Sequence, residues 1–459
     1  MAIAVKWKKW VVWNLRQGLC QGLQPTKWQK LAYQLSQSLQ RHRWEVVWQA
    51  LQWERQRTWQ QVSRQLWQSR WRNPAIAVVL LWLLLSVWQA PIVSPFLTTA
   101  ELRGIWLTNF GASVLYHTTR LDEAMATIAR HRLNVVYPSV WHRGLTLHPS
   151  LILKRAAGTW RNSLTAPIPG QDVLQGVIEQ AHRQHLQVIP WFEYGLMVPL
   201  HSELARRHPD WLTQTQNRAK TLKSAAGWLP DAIAEWRGEN IGWLNPFHPE
   251  VQEFLTQLIT DVVLRYPVDG IQLDDHFGLP IAFGYDPYTL KLYQQEHQGQ
   301  LPRDPSNPTW VAWRADRLTQ LMQRIHQAVK AVKPQAIVSF SPNSPRYAYL
   351  TYLQDWQRWL DLGLLDQVIV QIYRPTVAAL QQELGKSELQ RFRSQINIGL
   401  YSGSLRQAKS VEQLGQEVAA VRSQHYQGIS FFCWETTLWM FKHSRTNAVE
   451  RQFKQWFSP

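Results

Sequence analysis

Residues 269–277 read DGIQLDDHF, an apolar run that stops at two adjacent carboxylates and a histidine. Side chains alternate across a strand. Ile271 and Leu273 therefore share one face, while Gly270, Gln272 and Asp274 share the other. If the Ile271 face meets outer helices, Asp274 stands on the inner face where the strand ends. Asp275 begins on the opposite face and His276 returns to the inner one. A carboxyl buried beside another charge has a shifted pKa, as a nucleophile or general acid requires. The bland alternative is that Asp274 and Asp275 cap the next loop or pair with Arg or Lys. An Asp-Asp-His run also suits a divalent cation. No further ligand cluster stands out in the sequence, so the reading is metal-free and without a cofactor.

Glycoside hydrolysis is the chemistry that uses such groups in pairs. The two carboxyls stand about 5–5.5 Å apart when configuration is retained and about 6.5–9.5 Å apart when it is inverted. Asp274 is read as nucleophile or charge stabiliser. Glu193, in LQVIPWFEYG, is the first choice for its partner, ahead of Glu435 in GISFFCWE and Asp355 in YLQDWQRW, and Asp275 is a further catalytic candidate. Each has a plain alternative as a capping or ion-pairing residue.

These residues need elements to position them. From Glu101 onward, eight strand-like runs occupy 103–109, 134–141, 186–195, 269–276, 336–343, 366–374, 396–403 and 428–435. Amphipathic helical stretches lie between them, clearest at 121–132, 172–185, 249–266 and 315–332. Strand and helix alternating eight times predict an α/β fold, a (β/α)8 TIM barrel. An open doubly wound sheet would carry a Gly-rich phosphate turn after its first strand, and TNFGAS is not one. Long connections at 196–248 and 277–314 are expected at the barrel mouth.

Barrel active sites gather at the C-terminal strand ends. Here those ends hold Asn109, Trp141, Glu193, Asp274 with His276, Asn343, Gln371 with Tyr373 and Arg374, Tyr401, and Trp434 with Glu435. Sugars call for this mixture, because hydroxyls need polar partners and C–H faces stack on rings. The non-catalytic members of this set are expected to bind substrate.

The N-terminal part has a different texture. Before Pro74, thirteen Lys and Arg oppose two Glu, so 13 − 2 = +11 of the formal +17 lies there and 17 − 11 = +6 elsewhere. Ten Trp are interleaved with that charge. Such a segment suits single-stranded nucleic acid or an anionic bilayer. Residues 75–93, AIAVVLLWLLLSVWQAPIV, carry no charge. At 1.5 Å per residue they reach about 28 Å, a hydrocarbon-core thickness, which favours the membrane over nucleic acid. Arg70 and Arg72 precede the run and no positive charge follows closely. The positive-inside rule then places residues 1–73 in the cytoplasm, 74–93 across a lipid bilayer as a signal anchor, 94–100 as a linker and 101–459 outside. Cys20 and Cys433 would lie on opposite sides and cannot pair.

ELRGIWLTN, IPWFEYG, HPDWL, WLNPFHPEVQEFL, DGIQLDDHF, VSFSPN, YLQDWQRWLDLGLLDQVIVQIYR and GISFFCWE together resemble the glycosyl-hydrolase-like family 10 proteins, over about 101–435. The resemblance implies a TIM-barrel hydrolase acting on glycan outside the cytoplasm, on peptidoglycan glycan strands in members similar to this chain. DGIQLD also resembles the fourth-strand block of the α-amylase clan, whose nucleophile would fall on Asp274. That clan's fifth-strand acid has no counterpart in VSFSPNSP. Two functions follow as expectations: a membrane-anchored glycoside hydrolase, or a barrel that binds glycan without cleaving it and tethers membrane to wall.

Overall fold

The computed structural model describes residues 91–93, 101–159, 171–224, 238–403, 408–439 and 447–458. The expected cytoplasmic region 1–73, linker 94–100 and residues 74–90 of the expected span lie outside the described residues. Among the described residues no helix is long and apolar enough to cross a membrane. Chain contacts separate Met1–Val87 from Trp88–Pro459, and every described residue falls in the second unit.

All eight expected strands form. They are Leu102–Leu107, Val135–Pro138, a third in two halves (Gln187–Val188 and Trp191–Phe192), Gly270–Asp274, Ile337–Ser341, Gln367–Gln371, Ile396–Tyr401 and Gly428–Phe432. Every pairing among them is parallel, in the order third, second, first, eighth, seventh, sixth, fifth, fourth, third. The first half of the third strand pairs with the second strand and its other half pairs with the fourth. The sheet thus curls back onto its own third strand, as in a TIM-barrel-like α/β domain. Pro190, which has no N–H for a ladder, sits between those halves.

Strand ends are shorter than the sequence suggests. The polar residues at 109, 193, 275–276, 343 and 373–374 lie just past the ladders. Their backbones are free to turn, and their side chains are not bound to the period-two alternation.

The inner face is polar where a packed core would be apolar. Trp106 Nε1 donates to Gln272 Oε1 at 2.7 Å, and Gln272 Nε2 donates to Ser339 Oγ at 3.0 Å. Ser339 Oγ and the Tyr137 hydroxyl both donate to Gln367 Oε1, at 2.8 and 3.0 Å. Buried polar groups are tolerated when bonded in this way.

The N-terminal edge carries a repeated clamp. One residue before the second, fourth and sixth strands stands Asn134, Asp269 and Asp366. Each accepts the backbone N–H of the preceding strand: Arg103 at 2.9 Å, Val188 at 2.7 Å and Val338 at 2.8 Å.

Outer helices cover the sheet. In the longest, Pro308–Val332, Asn307 caps the first turn and Pro308 starts it; Val311, Ala315, Leu318, Met322, Ile325 and Val329 are buried at three- and four-residue spacing. Arg314 on this helix is fully buried, donating to the carbonyls of Ile281, Phe283 and Pro305. It ties down the long connection after the fourth strand.

Candidate active site

Asp274 is the last residue of the fourth strand and is only 3% exposed. Ser341, on the neighbouring fifth strand, donates its hydroxyl to Asp274 Oδ1 at 2.7 Å. Gln371, closing the sixth strand, donates Nε2 to the same oxygen at 2.8 Å and lies 3.5 Å from Asp275 Oδ1. Asn343 Nδ2 donates to Asp275 Oδ2 at 2.7 Å. The alternation read from the sequence puts Asp274 inside, and this is where it stands. Asp275 turns inward too, because the ladder ends before it.

His276 joins the pair to the third strand. Its Nδ1–H donates to the Glu193 carbonyl at 3.0 Å and lies 3.4 Å from Asp274 Oδ2 and 3.6 Å from Asp275 Oδ1. Burial opposes the imidazolium, but Asp275 and Asp274 outweigh it and lift its pKa to about 10. Asp274 is pushed up to about 7, first by burial and then by the Asp275 charge, against the lowering pull of His276 and Ser341. Two like charges this close do not both ionise freely. Asp274, Asp275 and His276 offer potential metal-ligand atoms within 4.8 Å of one another. His276 Nδ1 uses its hydrogen on the Glu193 carbonyl, which leaves that nitrogen no lone pair for a cation.

Glu193 Oε2 accepts from Ser139 Oγ at 2.6 Å and from His142 Nδ1 at 3.0 Å. Burial raises its pKa, but His142 and Ser139 more than offset this and the net shift is downward. The net pull is toward the carboxylate form. Glu435 follows the eighth strand and is 6% exposed. Its Oε1 accepts from the Thr108 backbone N–H and hydroxyl, and burial raises its pKa. Asp355 caps the helix Trp356–Asp361, the plain alternative for that residue.

Tyr373 feels the charges of both Asp274 and Asp275, which with burial hold its hydroxyl protonated. Its ring packs with Phe432 at 5.8 Å and Tyr401 at 5.5 Å. A cleft of about 770 Å³ opens beside the pair, with Asn343, Gln371 and Arg374 in its wall. Arg374 and Lys386 both bind Glu383, at 2.9 and 2.8 Å.

Two expected sugar platforms are corrected. Trp141 is fully buried, packs on Phe254 and donates Nε1 to the Gly195 carbonyl at 3.0 Å. It belongs to a short hairpin, Trp141–His142 with Leu145–Thr146, which folds the ring inward. Trp434 is 3% exposed within the main apolar core. Asn109 is the first residue of the helix Asn109–His117 and is buried. Sequence reasoning missed Ser139, His142, Ser341 and Phe432. Ser339 and Ser341 carried a signal, as polar residues two apart in an apolar run. His142, one residue past the candidate end Trp141 of the second strand, carried none.

Taken together, fold and site define a TIM-barrel-like α/β domain with two adjacent carboxyls at the C-terminal rim, Asp274 buried and Asp275 part-buried beside it. The chain belongs to the Glycosyl hydrolase-like 10 family, whose model matches residues 101–418. It is 30% identical over 239 residues to the glycosyl hydrolase DigH of Escherichia coli K12, covering 45% of this chain and 52% of that protein. It is 24% identical over 230 residues to the glycosyl hydrolase YngK of Bacillus subtilis 168, covering 45% and 38%. The match thus spans about half or less of these curated relatives. Among solved structures, the glycoside hydrolase domain of PgaB (BpsB) from Bordetella bronchiseptica superposes with a TM-score of 0.54 at 15% identity, over 77% of this chain and 99% of that one. That likeness concerns the fold.

Proposed function

We propose that the domain hydrolyses glycosidic bonds of extracytoplasmic glycan, peptidoglycan glycan strands being the substrate, and that Asp274 and Asp275 carry the chemistry. The supporting observation is the pair itself: a carboxyl 3% exposed, at the rim of the fourth strand, with its pKa raised to about 7 beside a second carboxyl. Asp274, pushed up to about 7, is the member of the pair that carries a proton near neutral pH. The proton passes to the leaving oxygen as the C1–O bond breaks, and the remaining anion offsets the positive charge that develops at C1. Gln371 and Ser341 orient Asp274, and Asn343 orients Asp275. Arg374, in the wall of the cleft beside the pair, and the packed rings of Tyr373 and Tyr401 bind sugar in this proposal. Glu193 and His276 fix the third-strand side of the site.

In the same proposal, residues 74–90 anchor the chain in a bilayer, Pro91 and Val93 being held by Gln184 of the barrel, 1–73 stay in the cytoplasm and the barrel faces the wall. The names of the relatives support hydrolysis of glycosides; the uncharged run at 75–93 supports the anchor. The test is incubation of the purified full chain with peptide-free peptidoglycan strands and mass spectrometry of the products. Shorter oligosaccharides with new reducing ends are expected. Bound but intact strands would select the tethering role instead.

A further inference from the structure

A span over residues 74–90 leaves no slack between lipid and barrel. Those residues number 17, the lower end of the about 17–25 that a crossing helix needs, so lipid takes up all of them. The next residue is already fixed to the barrel: the Pro91 carbonyl accepts from Gln184 Nε2 at 3.2 Å, and Val93 N–H donates to Gln184 Oε1 at 2.9 Å. Gln184 closes the helix Val173–Arg183 just before the third strand, at the N-terminal edge of the sheet. One residue of extended chain reaches about 3.5 Å. A span ending at Ala90 therefore leaves the hydrocarbon within a residue or two of that edge.

The same edge presents apolar side chains. Ile92, Leu264, Val332 and Leu362 are between 39% and 72% exposed. Ile92 stands between the two residues bound to Gln184, and Leu264 lies in the last turn of the helix Pro249–Arg265. Val332 continues the buried stripe of its helix, three residues past Val329, but as the last helical residue it is left partly bare. Leu362 follows the helix Trp356–Asp361, and Pro267 and Pro334 are exposed in the neighbouring returns. These returns adjoin one another. His182 Nε2 lies 3.0 Å from Asp269 Oδ2, Lys333 Nζ donates to the Val268 carbonyl at 2.6 Å, and Lys330 Nζ donates to Asp366 Oδ2 at 2.7 Å. The helix ends before the third, fourth, fifth and sixth strands are thereby linked into one arc. Asp261 and Asp361 on the arc are likewise matched, by Arg265 and Arg391. An anionic surface meets these carboxylates already paired. Single exposed apolar side chains are ordinary, whereas several on adjoining returns mark an interaction surface.

We infer that the N-terminal face of the barrel rests on the membrane, with Ile92, Leu264, Val332 and Leu362 in the lipid headgroup layer. This rests on the anchor reading above and adds a second lipid contact, made by the folded domain itself. Lipid rather than a second copy of the chain is the occupant, because the covalent chain brings the bilayer to this face. The contact sets the reach of the site. The helix Pro249–Arg265 runs about 20–25 Å between the two faces, so Asp274 is held at that height and faces away from lipid. Glycan is then met at a fixed distance above the bilayer rather than wherever a flexible tether would carry the domain.

The test is spin labelling of the full chain carrying Cys20→Ser, Cys433 being buried. The vesicles are phosphatidylethanolamine and phosphatidylglycerol with a nickel-chelating lipid headgroup. Labels are placed one at a time through Leu264→Cys, Val332→Cys and Leu362→Cys, and through Leu350→Cys in the cleft wall at the opposite rim. Expected is nickel-dependent spin relaxation at the first three positions and its absence at the fourth. Relaxation at none of them, or at Leu350 alone, in chains that stay with the vesicles at high salt overturns the inference and leaves the anchor. Coupling between labels of two chains in place of nickel relaxation assigns the arc to a second copy and overturns it as well. Chains that leave the vesicles at high salt overturn the anchor reading and this inference together.

Discussion

Asp274 keeps its proton to near neutrality because burial and Asp275 both penalise the anion. Its pKa rises from an ordinary 3.8 to about 7, so the folded chain binds this proton more tightly than the unfolded one. That stabilisation is complete below pH 3.8 and is lost as pH rises through 7. His276 rises from 6.5 to about 10, so its contribution is present below 6.5 and lost as pH rises through 10. If the pair supplies the acid, kcat/KM falls as pH climbs past about 7. Because the imidazolium lowers Asp274, His276→Gln shifts that alkaline limb to higher pH. A limb that stays in place in a pH–rate profile would show that another group titrates. At this scale Asp274 was legible from strand alternation alone. Asp275 was not, because its inward turn depends on where the ladder stops, and Trp141 misled because strand-end aromatics look alike whether they face sugar or core.

The strands and their clamps decide how firmly those residues are held. Asp269 opens the segment that Asp274 closes, yet it works at the opposite edge, accepting the Val188 N–H at 2.7 Å and a His182 contact at 3.0 Å. Asp269→Ala leaves that N–H without its acceptor and lowers stability by about 1–3 kcal/mol. Urea unfolding measures the loss, and kcat of the folded fraction stays unchanged. An unaltered unfolding midpoint would show that the clamp adds nothing. Chemistry at one rim and structural clamps at the other suit this architecture. All eight strands were readable as apolar runs between turns. Their ends were not, since the period-two pattern continues in residues that no longer pair. The split at Pro190 was visible as a proline inside a run, but its consequence, one strand serving both edges of the sheet, follows only from closure.

For the whole molecule, the point where the chain joins the barrel matters. Val93 N–H donates to Gln184 Oε1 at 2.9 Å, and Gln184 Nε2 donates to the Pro91 carbonyl at 3.2 Å. Gln184 ends the helix that leads into the third strand, so the chain enters at the N-terminal face, opposite the carboxylate pair. The formal +17 and the uncharged run at 75–93 make separable predictions for membrane binding. If 74–90 insert, the full chain cosediments with lipid vesicles at high salt, because burial of apolar surface is not screened. Release by salt would assign binding to the basic Trp-rich residues 1–73 instead. Charge distribution and the apolar run were plain in the sequence, whereas the face of entry depends on two hydrogen bonds 91 and 93 residues apart in the chain. The central claim is that the pair at the fourth-strand rim breaks glycosidic bonds. The most direct measurement is turnover of peptide-free glycan strands by the full chain and by Asp274→Asn, with binding of the strands measured in parallel. The account predicts a loss of about 10²–10⁴-fold in kcat with binding retained, and turnover of Asp274→Asn equal to that of the unaltered chain would contradict it.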